Sequence, residues 1–115
     1  MSDSAAGDGW WGTREWRDPG VPVWVDLRSA LPPQQAGVRP GTPMRVRAAG
    51  VDNSRQAPGA LLAWHQTATG DRWAQVRVEL TNRNRQAHLV AELWVPQLAV
   101  EPRDEPAGVD DEPVD

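Results

Sequence analysis

The stretch Trp73–Thr81 (WAQVRVELT) alternates strictly, with Ala74, Val76, Val78 and Leu80 on one side and Trp73, Gln75, Arg77 and Glu79 on the other. A period of two held over nine residues is that of a strand with one buried face, and no helix gathers those apolar positions onto one side. A lone strand cannot bury that face, so the rest of the chain must supply a sheet. Ala87–Val95 (AHLVAELWV) repeats the pattern, with Leu89, Ala91, Leu93 and Val95 inward and His88, Val90, Glu92 and Trp94 outward. Gly59–Gln66 (GALLAWHQ) reads as a third strand. Thr67–Arg72 is a tight hairpin in which Gly70 can take a positive φ, and Asn82–Gln86 is a second polar hairpin loop.

Three shorter runs complete the expected sheet. Met44–Ala49 (MRVRAA) alternates Met44, Val46 and Ala48 against Arg45 and Arg47. Leu98–Val100 follows the Pro96 turn as a closing strand, and Val23–Val25 adds an edge strand beside Pro22. Eleven prolines and ten glycines leave little room for helix. The single helical candidate, Asp26–Gln35, is stopped by Pro32-Pro33. The expected core is Val46, Leu62, Val76, Val78, Leu80, Leu89, Leu93 and Val95, with Leu62 chosen over its apolar neighbour Leu61.

The long loop 50–58, the hairpin Thr67–Arg72 and the ending Trp94-Val95-Pro96-Gln97-Leu98-Ala99-Val100 together resemble an SH3-like barrel over residues 41–101. That ending looks like the SH3 sequence of strand, proline, one-turn 3₁₀ segment and closing strand. The resemblance implies a small five-stranded all-β barrel. The aromatic-rich first strand of peptide-binding SH3 domains has no counterpart in Met44–Ala49, so only the barrel is carried over. The spaced pattern LAW…GDRW…V…WVP…L is also similar to small actinobacterial proteins, which implies no activity.

The ends differ from the middle. The organisation expected is a flexible Trp-containing arm over 1–20, a barrel domain over 21–101 and a disordered acidic tail over 102–115. Trp10, Trp11 and Trp16 are too apolar for a free tail, so residues 10–25 are expected to pack on the barrel as an arm. Residues 101–115 carry a net charge of −6, whereas residues 39–100 carry +4. There is no cysteine and hence neither disulfide nor thiolate metal site. The chain shows no secretory start and no apolar run near the roughly 18 residues that span a bilayer, so the expected location is cytoplasmic, without membrane association.

Catalysis needs converging groups, and the sequence offers only His65 and His88 as imidazoles, with no Cys or Tyr. A His65/His88/Glu92 metal cluster is the one arrangement of that kind, and nothing in the spacing demands it. The expectation is a non-enzymatic chain with no cofactor and no metal. Seven tryptophans in so short a chain point instead to contact surfaces. Trp64, Trp73 and Trp94 form the expected partner-binding set, on a Trp-rich sheet face serving a protein partner or self-association. The alternative is nucleic-acid binding, as KOW and Tudor barrels resemble, through Arg45, Arg47, Arg77, Arg83 and Arg85, with Arg72 beside them.

Overall fold

The computed structural model describes residues 9–104. The chain is all-β, and its elements follow in the order β1 (Arg14–Asp26), α1 (Leu27–Ala30), α2 (Met44–Ala49), β2 (Gln56–Gln66), β3 (Arg72–Thr81), β4 (His88–Pro96), a one-turn 3₁₀ helix (Gln97–Ala99) and β5 (Val100–Pro102). The five strands form one antiparallel sheet in the order β4-β3-β2-β1-β5, curled into a half-barrel. Among the described residues no helix is long and apolar enough to cross a membrane.

The alternation of Trp73–Thr81 sets the inner face. Ala74, Val76 and Val78 are fully buried there, and Val95 of β4 joins them. From β1 and β2 come Val23, Val25, Ala57 and Leu61. Leu27 of α1 closes one end of this core, held by its N–H donating to the Arg55 carbonyl at 3.0 Å. Asp26 starts that helix, its carboxylate accepting from the Arg28 N–H and the Ser29 hydroxyl. The hairpin between β2 and β3 turns at Gly70, whose φ of +93° suits only a residue without Cβ. At Gly59, where β2 lies between Val23 and Val78, a Cβ would sit 2.6 Å from the Arg77 carbonyl oxygen. No side chain fits there.

Several expectations are corrected. Met44–Ala49 is a helix, α2, rather than a strand: Arg47 N–H bonds to the Pro43 carbonyl and Gly50 N–H to that of Val46. Six residues are too few to separate a period of 2 from one of 3.6. Val46 accordingly leaves the core, at 42 % exposure. Leu61 is buried and Leu62 is not, because the register of β2 on β3 shifts between Leu61 and Ala63. Leu89 points inward as expected but stands at the uncovered end of β4 and is half exposed. The helix at Asp26 ends at Ala30, before Pro32 is reached. Leu98 belongs to the 3₁₀ turn, so the closing strand begins at Val100.

Residues 23–25 are interior to the sheet, between β2 and β5, and not at an edge. β1 opens at Arg14, so Arg14, Glu15 and Trp16 pair with His65, Trp64 and Ala63 as sheet rather than packing as a separate arm. The break at Asp18-Pro19-Gly20 is absorbed by a bulge between Trp16 and Val21. Of the acidic tail, Pro102 ends β5 and Arg103 is anchored, its guanidinium donating to the carbonyls of Val23 and Gly59 at 3.1 Å. The expected disorder beyond residue 104 lies outside the described residues.

Candidate functional site

The bulge at Leu62 decides what the outer face carries. Partners across an antiparallel ladder share a face, and one extra residue reverses the parity of everything after it. Before the bulge, Leu61 pairs with inward Val76; after it, Ala63 pairs with outward Gln75, and His65 with Trp73. His65 is therefore carried to the outer face, and Trp64 is turned inward opposite Ala74.

His65 is 3 % exposed although it lies on the face that turns away from the core. Two tryptophans cover it. Trp94 of β4 stacks on the imidazole with centroids 4.0 Å apart and planes 11° from parallel. Trp16 of β1 meets it edge-on at 6.0 Å and 84°. Ala63, the cross-strand partner of Trp16 on the same face, is fully buried. Both tryptophans stay open to solvent, Trp16 at 60 % and Trp94 at 50 % exposure.

The polar connections fix the imidazole. The Glu92 carboxylate can only accept, so the Gln75 amide donates to it from Nε2 at 3.3 Å. The Gln75 oxygen then faces His65 and accepts from Nε2–H at 2.9 Å. His65 Nδ1, left as the lone-pair side, is buried without a hydrogen-bond partner among the described residues, as is Nε of its cross-strand neighbour Arg14. The Arg14 guanidinium lies 4.1 Å from the Trp10 ring centroid. The imidazole is thus a packed centre with one nitrogen committed and the other covered.

The expected Trp set divides. Trp94 is at the centre of the cluster, and Trp73 flanks it, half-buried, between His65 and Pro96. Trp64 is on the other face, packed against the edge of the core under the Arg72 guanidinium at 4.2 Å. Arg72 also reaches Glu15 at 3.1 Å, beside a hollow of about 200 Å³ next to Trp64. Trp16, Gln75 and Arg14 complete the outer cluster and were not among the expected site residues. The signal for Trp16 was present as an apolar residue beside a proline-glycine break.

The arginines gather elsewhere. Arg83 N–H bonds to the Gly50 carbonyl and Asn84 N–H to that of Ala48, which sets Arg45 and Arg47 of α2 at the same end of the sheet as Arg83 and Arg85. Arg77 stands apart in mid-strand, 3.8 Å from Glu92. From Gln75 to Thr81 along β3 is six residues, so about 20 Å separates the Trp94 row from the arginine end at strand rise. Arg14 and Arg72 do lie against tryptophans, but Arg45, Arg47, Arg83 and Arg85 do not interleave with the Trp94 row. Nor does the His65/His88/Glu92 cluster assemble: His88 is at the hairpin end opposite Thr81, and no three potential metal ligands converge among the described residues. Compared with protein-family models, curated proteins and solved structures, the chain has no match in any of the three.

Proposed function

We propose that this chain is a non-enzymatic protein-binding module whose contact surface is the outer sheet face around Trp16, His65 and Trp94. One observation carries the reading: two half-exposed indole rings are held over a buried imidazole by three different strands. Fixed aromatic rings offer large apolar area at small entropic cost, which is why Trp anchors so many interfaces. The sheet order and the 3₁₀ turn before β5 support taking the half-barrel as SH3-like, a scaffold suited to presenting such a face. The test is a peptide-display selection on the whole chain, followed by affinity measurements on a Trp16→Ala/Trp94→Ala variant. Affinity should fall about tenfold or more, as for lost hot spots. Equal binding by a folded double variant would refute the reading.

Nucleic-acid binding is the second reading, favoured by the gathering of Arg45, Arg47, Arg83 and Arg85 at one end. The separation of that end from the exposed rings removes base stacking from it, which weakens the case. Titration with single-stranded DNA and RNA at about 50 mM salt discriminates, since phosphate-driven affinity is strongest there.

A further inference from the structure

The two edges of the sheet are built differently. On the β5 side the edge strand has three residues, ends in Pro102 and is clamped by Arg103. Beyond it β1 is interrupted by its bulge and by Pro19 and Pro22. These are the devices that stop a sheet edge from pairing with another. β4 shares only the terminal proline, Pro96, and has neither the shortness, the bulge nor the clamp. It runs nine residues in unbroken register with β3, with no proline before its last residue and Glu92 as its one acid or arginine. Along it Leu89, Val90 and Trp94 are exposed at 50, 61 and 50 %. No described strand pairs with its outer side.

We infer that β4 is the edge through which two copies of this chain join, antiparallel, about a two-fold axis at Val90. An antiparallel self-pairing that pivots on a residue keeps like faces together, so the inner faces of both sheets stay on one side. Charge then chooses the pivot. Pivoting on Glu92 sets Glu92 against its own copy, and like charges directly opposite oppose pairing. Pivoting on Ala91 sets Glu92 against Val90. Pivoting on Val90 sets Glu92 opposite His88 of the second copy, twice by symmetry, with Leu89 against Ala91 on the inner side. The row across the joint becomes Arg77, Glu92 and the copy's His88, with the acid between two donors. The joined sheet has ten strands and carries two Trp16–Trp94 patches on one outer face.

The absence of cysteine makes the test direct. Single variants Val90→Cys, Ala91→Cys and Glu92→Cys each place a thiol at one pivot, and opposed strand residues bring Cβ atoms within about 5 Å, near disulfide reach. Under mild oxidation of the full chain Val90→Cys should form covalent dimer about tenfold faster than the other two. Sedimentation should show wild-type chain associating and Val90→Lys with a dissociation constant raised about tenfold, two like charges meeting on the axis. Equal or faster cross-linking at Ala91→Cys or Glu92→Cys overturns the proposal. So does a wild-type chain that stays monomeric, or that takes an unrelated β-forming peptide along β4 instead. A dimer that survives Val90→Lys but is lost in Trp16→Ala also overturns it, and would place self-association on the outer face. Trp16 is not on β4, so the two surfaces fail separately.

Discussion

The two faces of this sheet are packed by opposite rules. The inner face is centred on aliphatic residues: Val25, Val76, Val78 and Val95 are buried completely within one apolar cluster. The outer face also has buried residues, Ala63 and His65, but its roof is two indoles with half or more of their surface in water. A fold needs its inner face; it does not need a histidine roofed by open tryptophans. On the proposed reading, burial on the outer face holds the rings still, and stability and presentation fall on different sides of the same strands.

Substitutions that remove inner-face volume should sharpen that division most. Leu27→Ala empties the end of the core, and the unfolding free energy should fall by about 2–5 kcal/mol in denaturant titration. Val78→Ala, opposite Gly59 in the centre of the sheet, should cost about 1–3 kcal/mol. A loss below about 0.3 kcal/mol would mean that β3 does not form the centre of the core. Neither change should alter binding through the outer face when measured well below the melting temperature.

Asp52 gives a smaller and pH-dependent effect. Its carboxylate accepts from the Ser54 N–H at 3.0 Å and the Ser54 hydroxyl at 2.6 Å, which hold its pKa below the ordinary aspartate value, with Arg83 and Arg55 adding to the depression against the cost of burial. A depressed folded pKa gives stability that is present above the unfolded value of about 3.9 and is lost as pH falls through the folded one. Asp52→Asn should therefore cost about 1 kcal/mol at pH 7. The gap between variant and wild type should close below about pH 4. A gap constant from pH 7 to pH 2 would show that the charge is not what Ser54 stabilises.

How much of this was legible depended on periodicity and its length. The nine-residue alternation of Trp73–Thr81 places β3, and with β4 it gives the faces of Trp73 and Trp94 correctly. Met44–Ala49 shows the limit, since six residues satisfy either period and the Pro43 carbonyl decides for helix. β1 was hidden because Asp18-Pro19-Gly20 reads as a break, whereas a bulge lets the strand continue through it. The bulge at Leu62 was hidden because residues 60–64 are apolar throughout, so no alternation records the change of parity. The choice of Leu62 over Leu61 is therefore wrong for the core, although it gives the outer face for His65 that the bulge produces. Trp16 was read as part of an arm for the same reason that β1 was.

A change that costs the fold little should cost the proposed interface most. Trp94→Ala removes the ring stacked on His65. Full removal of a buried Trp costs about 3–5 kcal/mol, but half of this ring is already in water and its stack contributes only about 0.5–1.5 kcal/mol beyond area. The expected loss is about 1 kcal/mol, below that of Val78→Ala although far more atoms are deleted. His65 would be exposed on the side that Trp94 covered, while Trp16 and the Gln75 bond still held the ring in place. Affinity for peptides selected on the wild type should nonetheless fall about tenfold, because a rigid aromatic anchor is lost. A stability loss above about 3 kcal/mol with unchanged affinity would invert the comparison: the outer tryptophans would then be a second core. Measuring both quantities on one variant separates the two accounts, since they predict opposite orders for Trp94→Ala and Val78→Ala.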